Sequence, residues 1–344
     1  MKAAVFVKPG QMEVREAPKP ELKEATDAVI KVVRACVCGS DLWWFRGINP
    51  QQPNSYVGHE AIGVIESVGS EVTSFKPGDF VIAPFSHGCG HCAACKAGFD
   101  GSCQTYEYDM HDGYQAEYLR FANAETALVK VPGKVEDYTE DQLKDLLTLS
   151  DVMATGYHAA FSAEVKEEDN VVVIGDGAVG LSGVIGAKLR GAGKIIALSH
   201  HEDRAALARE FGADVIVSER GDDAVAKVLE LTDGYGADAI LECVGAEGAI
   251  KQAQKMGRPG AIIGRVGVPH AETPTTALFM QNLGLRGGIA SVTTHDKEVL
   301  LDAVLSGKIH PGKVFTKSFK FDDLQAAYEA MDKREAIKSY LILD

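Results

Sequence analysis

The stretch that decides the fold is Val171-Val172-Val173-Ile174-Gly175-Asp176-Gly177-Ala178-Val179-Gly180. Its four β-branched residues predict a short strand that is buried on both faces, as in a parallel sheet. The motif Gly-x-Gly-x-x-Gly follows, in which the first glycine makes a tight turn, the second lets a pyrophosphate approach the backbone and the third packs helix against strand. A helical stretch ends near Gly191, and a second strand follows at 194–198. This context predicts a dinucleotide-binding turn, with Gly175, Gly177, Ala178, Val179 and Gly180 against the cofactor.

The rest of the chain surrounds this unit with two kinds of pattern. Residues 1–135 contain short, partly alternating apolar runs separated by turn signals such as Pro9-Gly10, which predicts a compact, barrel-like β domain. From Val171 to about Ala290, strands and helices alternate, which predicts a parallel sheet with crossover helices. Two helices, at 297–305 and 322–330, and a terminal strand at 339–343 complete an α/β chain.

The bulk composition limits the possible partners and compartments. A chain of 344 residues is long for one core, so we expect two domains. The net charge of −14 opposes binding to nucleic acid or to an anionic membrane. The apolar run between Lys2 and Lys8 is too short for a signal peptide, and no later run is long enough to span a bilayer. We therefore expect a cytoplasmic protein without nucleic-acid or membrane partners, whose seven cysteines do not serve as disulfides.

Four cysteines form a compact group within one glycine-rich segment. Cys89, Cys92, Cys95 and Cys103 give the spacing Cys-x2-Cys-x2-Cys-x7-Cys. Four thiolates on a short, bendable segment suit a closed tetrahedral zinc site. Two disulfides are the alternative, and a cytosolic location opposes them. Because a four-sulfur site leaves no open position, this zinc is predicted to be structural.

A second group of possible ligands is scattered along the chain. It comprises Cys38, the pair His59-Glu60 and, far downstream, Asp151. Taken singly, each has a structural explanation, as a buried thiol, a strand histidine, or a solvated or capping acid. Together they supply one thiolate, one imidazole and a carboxylate, the set that a catalytic zinc with an open position needs.

These motifs, in this order, resemble those of the zinc-containing medium-chain dehydrogenase/reductase family, the alcohol dehydrogenase superfamily. The resemblance covers essentially the whole chain, and Asp151 in place of a more familiar cysteine resembles the microbial secondary-alcohol dehydrogenase branch. It implies a catalytic domain with a GroES-like β-barrel over residues 1–150, a Rossmann domain with a doubly wound parallel sheet over 151–290, and a return to the catalytic domain over 291–344.

The resemblance also implies roles for individual residues. The catalytic zinc would be held by Cys38, His59 and Asp151, with Glu60 as a further ligand in some states, and Asp41 would accept a hydrogen bond from the His59 ring. Ser40 matches the hydroxyl that accepts the proton of the alcohol, although an ordinary turn serine is the alternative. Thr155 and Val266 match positions along the nicotinamide, and Lys338 matches a basic residue that reaches the pyrophosphate, unless it is simply a solvated lysine.

One position departs from the family pattern. Many relatives carry a histidine that extends the proton relay three residues after the hydroxyl residue, whereas this chain has Trp43, followed by Trp44 and Phe45. The usual path of the proton to solvent is therefore in doubt. These aromatic residues either line an apolar substrate pocket or, for Trp44 and Phe45 equally, belong to a core beneath a loop.

The choice of nicotinamide cofactor depends on the end of the strand at 194–198. NAD-binding Rossmann folds place an acid there, about 20 residues past the glycines, to bind the ribose hydroxyls. Here that position is Ser199, followed by His200, His201 and Arg204, a set that favours a 2′-phosphate. We therefore predict NADP in preference to NAD. The alternative is that Glu202 or Asp203 turns inward to bind the ribose of NAD.

The predicted function is a zinc-dependent alcohol dehydrogenase or carbonyl reductase that acts on a small alcohol or ketone, with two zinc ions per chain. Secondary alcohols or short diols are the expected substrates, and a polyol or L-threonine dehydrogenase is the alternative. A zinc-ribbon nucleic-acid binder would explain only the four cysteines, and a zinc-free quinone reductase of the same fold would not need Cys38, His59 and Asp151 together. Family members are usually dimers or tetramers, so a homodimer or homotetramer is expected.

Overall fold

The computed structural model of the chain describes residues 1–105, 113–270, 272–290 and 294–343. They form two compact units, one of Met1–Asp151 with Ser291–Asp344 and one of Val152–Ala290. Asp151 therefore belongs to the first unit, whereas the domain bounds predicted from the sequence put it at the start of the second. Within the described residues, no helix is both long enough and apolar enough to cross a membrane.

The second unit is an alternation of strands and helices around one parallel sheet. Taken in the unit's own chain order, its strands are arranged 3-2-1-4-5-6, the order of a doubly wound dinucleotide-binding fold. The α/β prediction is therefore confirmed. The elements are α5 (Val152–Ser162), β8 (Asn170–Ile174), α6 (Ala178–Leu189), β9 (Lys194–Leu198), α7 (Glu202–Phe211), β10 (Val215–Val217), α8 (Gly221–Leu231), β11 (Ala237–Glu242), α9 (Glu247–Met256), β12 (Gly257–Arg265), α10 (Thr276–Gln281) and β13 (Gly284–Gly287).

The local predictions for this unit were accurate where apolar periodicity is strong. Lys194–Leu198 is a strand, as predicted, and Glu247–Met256 is one of the helices of the predicted alternation. Two elements, α10 and β13, were not predicted from the sequence. The strand β13 reads Gly-Leu-Arg-Gly and is half-buried to exposed, so it carries no apolar alternation, and only its pairing with β12 defines it.

The first unit is built on a mixed sheet to which both ends of the chain contribute. Its order is β14-β15-β3-β4-β5-β7, with β6 also paired to β3, and a separate hairpin joins β1 to β2. The elements are β1 (Lys2–Lys8), β2 (Gln11–Glu16), β3 (Ala28–Cys36), α1 (Asp41–Phe45), β4 (Ala61–Val68), β5 (Phe80–Ala83), α2 (Ala93–Lys96), β6 (Tyr118–Phe121), α3 (Ala124–Ala127), β7 (Val129–Val131), α4 (Glu140–Thr148), α11 (Thr294–Leu305), β14 (Phe315–Lys320), α12 (Leu324–Asp332) and β15 (Lys338–Ile342).

The core of the first unit includes two of the aromatic residues discussed above. Trp44 and Phe45 are almost fully buried, and their rings lie 5.5 and 5.3 Å from that of Tyr328 on α12. Trp44 also contacts Phe6 edge to face at 5.2 Å. Of the two alternatives, the structure therefore supports a core role for Trp44 and Phe45, and the substrate-pocket interpretation is wrong for them. Trp43 is half-buried, and its role at a substrate pocket stays a prediction.

Candidate active site and metal centres

The four scattered residues of the sequence analysis meet in one buried cluster of the first unit. Cys38 follows β3, His59 and Glu60 precede β4, and Asp151 follows α4. One ligand atom from each lies within 4.8 Å of all the others. All four residues are buried, with exposed fractions between 1 and 8%. A thiol, an imidazole and two carboxyl groups are thus held together inside the protein.

The spacing of these atoms fits a tetrahedral zinc ion. Zinc bonds of about 2.0–2.3 Å put neighbouring ligand atoms roughly 3.3–3.8 Å apart. Asp151 Oδ2 lies 3.5 Å from Cys38 Sγ and 3.6 Å from His59 Nε2, and His59 Nε2 lies 4.0 Å from Glu60 Oε1. The buried Glu60 Oε2 has no hydrogen-bond partner among the described residues. A buried carboxylate oxygen without a donor, beside a thiol and an imidazole, suits a divalent cation.

The protonation equilibria of the cluster reflect its burial and its crowding of negative charge. Burial raises the pKa of the Cys38 thiol and of the Glu60 carboxyl above their ordinary values. Burial lowers the pKa of His59, but Asp41, Asp151 and Cys38 outweigh this and raise it well above its ordinary value. Positive charge is therefore favoured here, and a bound cation would deprotonate the coordinating thiol.

A network of buried polar groups supports the cluster from the side of Asp41. The Asp41 carboxylate accepts a hydrogen bond from the Cys38 backbone amide at 2.9 Å, and its other oxygen lies 3.6 Å from His59 Nδ1. That distance is longer than a normal hydrogen bond, so the predicted bond to His59 stays a prediction. Gln115 Nε2 lies 3.5 Å from Asp41, and Gln115 accepts a hydrogen bond from the Tyr328 hydroxyl at 2.9 Å.

Lys338 joins the same cluster rather than lying exposed. Its Nζ donates to Glu60 Oε1 at 2.6 Å and to the Val37 carbonyl at 3.2 Å, and the residue is 1% exposed. Burial lowers the pKa of Lys338, but Cys36 and Glu60 raise it well above its ordinary value. The solvated-lysine alternative is therefore wrong. Contact with a pyrophosphate stays a prediction.

The four-cysteine segment forms a second, separate cluster around α2. Sγ–Sγ distances are 3.5 Å for Cys92–Cys95, 3.9 Å for Cys92–Cys103 and 4.0 Å for Cys89–Cys95. These exceed a disulfide bond of about 2.05 Å and are close to the roughly 3.8 Å between thiolates on tetrahedral zinc. The backbone amides of Cys89, Cys92 and Cys95 donate to sulfur atoms at 3.3–3.5 Å. A hydrogen bond with Thr105 lowers the pKa of Cys89 to about 5, and burial raises that of Cys95 to about 12.

The dinucleotide turn lies between β8 and α6 as predicted. Gly175 has φ +116°, a conformation that favours glycine. A Cβ at Gly180 would lie 2.0 Å from the Gly175 carbonyl oxygen, whereas one at Gly177 would meet no described atom within 4 Å. Gly180 thus allows close packing of helix on strand, and open space remains above Gly177, at the N-terminus of α6. The amides of Ala178 and Val179 lie in the first turn of this helix, where anions are favoured.

The residues at the end of β9 gather around an acid that the sequence analysis did not single out. The Ser199 hydroxyl donates to Asp176 Oδ2 at 2.9 Å, and Arg204 Nη1 lies 3.2 Å from Asp176 Oδ1. The His200 backbone amide lies 3.4 Å from the same carboxylate. His201 precedes α7 and is half-buried. The alternative ribose acids Glu202 and Asp203 are exposed, and Glu202 lies 3.7 Å from Arg209.

The loops that carry Val266 are braced by a buried ion pair. Arg265 Nε lies 3.1 Å from Glu242 Oε2, and the two side chains are 9 and 0% exposed. Glu242 Oε1 also accepts from the amides of Val244 and Gly245, and the Val266 amide donates to the Glu242 carbonyl at 3.0 Å. Val266 is half-buried and Thr155, on α5, is 7% exposed.

Comparisons with known proteins identify the family to which this chain belongs. Residues 24–133 match the model of the alcohol dehydrogenase GroES-like domain, and residues 178–305 match that of zinc-binding dehydrogenases. An alcohol dehydrogenase of Cupriavidus necator is 32% identical over 352 aligned residues, which cover 96% of this chain and 94% of the relative. This chain belongs to the zinc-containing medium-chain dehydrogenase/reductase family.

Two further proteins of this dehydrogenase family are also similar to the chain. The NADP-dependent isopropanol dehydrogenase of Clostridium beijerinckii is 32% identical over 335 residues, with 92% of this chain and 93% of the relative covered. An alcohol dehydrogenase from Thermus sp. ATN1 has a similar structure, with a TM-score of 0.91, 30% identity and full coverage of both chains. The predicted family, and the GroES-like and Rossmann folds that it implies, are thereby confirmed.

Reasoning from the sequence missed several polar residues of this dehydrogenase. Gln115, Tyr328 and Glu242 carry no recognisable motif, and their contacts arise between distant elements. Asp176 is different, because it is an acidic residue within the Gly-x-Gly-x-x-Gly motif itself, two residues before the start of α6. That position could have been suspected as a neighbour of the residues after β9, since both follow adjacent parallel strands.

Proposed function

We propose that this protein is a zinc-dependent dehydrogenase that interconverts small secondary alcohols or diols and their ketones with a nicotinamide cofactor. The observation that carries the proposal is the convergence of Cys38, His59, Glu60 and Asp151 within 4.8 Å in a buried cluster. A relative named as an isopropanol dehydrogenase supports a secondary alcohol as substrate. In this proposal, Cys38, His59 and Asp151 hold the catalytic zinc, with Glu60 as a further ligand, and Cys89, Cys92, Cys95 and Cys103 hold the structural zinc.

Cys38, His59 and Asp151 would hold a zinc ion whose Lewis acidity would lower the pKa of an alcohol hydroxyl. The chain's own residues position the ligands and take up the proton. Asp41 fixes the loop of Cys38 through its backbone amide and lies beside His59. Ser40 precedes α1 without capping it through its side chain, so its hydroxyl is available to accept the substrate proton while it passes its own proton on toward solvent.

The cofactor proposal is that NADP binds in preference to NAD. The turn residues from Gly175 to Gly180 would bind the pyrophosphate, with Lys338 as a further basic contact, and Thr155 and Val266 would lie along the nicotinamide. Ser199, His200, His201 and Arg204 supply hydroxyl, amide, imidazole and guanidinium donors at the position where NAD-binding folds carry an acid. The NADP-dependent relative supports this choice.

We propose that the enzyme is located in the cytoplasm and acts on a small-molecule substrate. We also propose that it forms a homodimer or a homotetramer. Fractionation of cells that express the full chain tests the compartment, and light scattering of the purified protein tests the assembly. A monomeric mass would contradict the proposed assembly.

The test of the proposed reaction combines metal analysis with a substrate screen. We expect two zinc ions per chain in wild type and one in Cys38→Ala, because only the open cluster loses a ligand. Oxidation of 2-propanol, 2-butanol, 2,3-butanediol, sorbitol and L-threonine is measured with NADP and with NAD. Faster turnover of sorbitol or threonine than of the simple secondary alcohols would favour the alternative dehydrogenases. Activity that Cys38→Ala retains in full would contradict the zinc proposal.

A separate variant tests the preference for NADP over NAD. Ser199→Asp restores the acid that NAD-binding folds carry at the end of β9, so the ratio of kcat/KM for NADP over NAD is expected to fall. A wild-type enzyme that prefers NAD would contradict the NADP proposal, whatever its substrate.

A further inference from the structure

We propose that Asp176, within the glycine turn, is a specificity-determining residue that limits discrimination in favour of NADP. The inference rests on the proposed function in one respect, that the adenosine ribose of the cofactor lies at the end of β9. It concerns a residue outside the usual acid position, which in this chain is Ser199. Asp176 instead follows β8, the neighbouring strand of the same parallel sheet.

The contacts of Asp176 place an anion where a phosphate would otherwise bind. Its carboxylate accepts from the Ser199 hydroxyl at 2.9 Å and from Arg204 Nη1 at 3.2 Å, and the His200 amide lies 3.4 Å away. Arg204 also lies 3.4 Å from the Asp176 carbonyl oxygen. A hydroxyl, a backbone amide and a guanidinium are the donors that bind phosphates. All three are directed at an internal carboxylate.

The exposed fractions of the Asp176 and Arg204 side chains show that a ligand can reach the Asp176 carboxylate. The side chains of Asp176 and Arg204 are 18 and 16% exposed. They are therefore partly shielded from solvent, and open enough to contact a bound molecule. By contrast, Glu202, the other nearby acid with a described ion pair, is 91% exposed at its side chain.

Two opposite effects on the cofactors follow from one negative charge. A 2′-phosphate brought to Ser199 and Arg204 is repelled by the Asp176 carboxylate and competes with it for the same donors. A ribose 2′-hydroxyl is instead a donor, for which the carboxylate is an acceptor. Asp176 therefore favours the hydroxyl form of the ribose, while Ser199 and Arg204 favour the phosphate form.

The experiment measures binding of the adenosine half alone, which requires neither zinc nor turnover. Adenosine 2′,5′-bisphosphate and 5′-AMP are titrated by calorimetry into full-length wild type, Asp176→Asn and Asp176→Ala. Removing one charge a few ångströms from the phosphate is expected to improve the preference for the bisphosphate by about tenfold or more. Titration of NADPH and NADH, followed by fluorescence, is expected to show the same change.

Glu167→Gln is the matched control, because Glu167 is an exposed acid of the same unit that precedes β8, at the opposite end of the strand from Asp176. This variant also removes one negative charge, but it does not touch the Asp176 cluster. Its preference for the bisphosphate over 5′-AMP is therefore expected to equal that of wild type. Thermal melting of each variant checks folding, and Asp176→Asn, which keeps the size of the side chain, serves if Asp176→Ala is unstable.

The outcomes separate this inference from the proposed cofactor. The wild-type preference alone decides whether NADP is favoured, and the change on replacing Asp176 alone decides the role of that residue. A preference that stays within about twofold of wild type in both Asp176 variants would overturn the inference. So would a loss of bisphosphate binding, which would mean that Asp176 orients the donors without opposing the phosphate.

Discussion

Gly177 and Gly180 allow the dinucleotide turn to be tested by adding one methyl group at a time. At Gly177 the backbone is extended, with φ −79° and ψ 179°, and an added Cβ would meet no described atom within 4 Å. At Gly180 the Cβ would lie 2.0 Å from the carbonyl oxygen of Gly175, which is a backbone atom. The first substitution therefore fits the folded protein, and the second requires β8 and α6 to move apart.

The expected magnitudes follow from this difference. Alanine at Gly177 reduces the entropy of the unfolded chain, which stabilises by about 0.4–1 kcal/mol, and this offsets the poorer capping preference of alanine. We expect an unchanged melting temperature. Against a bound pyrophosphate, however, the methyl group overpacks the turn at a cost of about 1–3 kcal/mol, which is about 5- to 150-fold in Kd. Gly180→Ala is expected to lower the melting temperature, by roughly 2–4 °C for each kcal/mol of strain.

The assay pairs calorimetric titration of NADPH and NADH with thermal melting of the same preparations. Gly248→Ala is the control, since Gly248 lies in the first turn of α9 and an added Cβ there also meets no described atom within 4 Å. It is expected to keep wild-type binding and to raise stability slightly, by about 0.5–1 kcal/mol, because alanine is a better helix former than glycine. If Gly177→Ala bound both cofactors as tightly as wild type, the reasoning that places the pyrophosphate above this glycine would be refuted.

Three further predictions concern the metals, the proton and the buried ion pair. A mild chelator is expected to remove zinc from the open cluster first, because the four-sulfur cluster is closed. As activity is lost, elemental analysis should therefore show one zinc ion per chain. Loss of both metals together would contradict two distinct sites. Ser40→Ala is expected to lower kcat by about 10²–10⁴ with little change in cofactor Kd, whereas wild-type turnover would mean that the proton leaves by another route. Arg265→Met is expected to destabilise the protein by about 3–5 kcal/mol, because it leaves the Glu242 carboxylate buried without its counter-ion. Adding Glu242→Gln to Arg265→Met should recover part of that loss in thermal melts, and additive losses would argue against coupling of the pair.

The sequence by itself determined the features that depend on neighbouring residues. The β-branched run before Gly175 and the glycine spacing predict strand, turn and helix, because backbone conformation there follows from the residues themselves. The spacing of Cys89, Cys92, Cys95 and Cys103 likewise predicts one site, since a short segment keeps the thiols close. For Cys38, His59, Glu60 and Asp151, the residue types alone indicated a metal. The resemblance to the dehydrogenase family is what assigned these four residues to one site.

Only the tertiary structure decided which distant side chains meet. Asp151 reaches Cys38 across 113 residues, and Lys338 reaches Glu60 across 278. No local pattern fixes such contacts, because they depend on how β15 pairs with β3 and on where α4 ends. The same holds for Trp44 and Phe45, whose apolar rings suit a pocket or a core equally until α12 packs on them. Asp176 and Arg204 meet for a similar reason, since parallel strands bring the ends of β8 and β9 to one edge of the sheet.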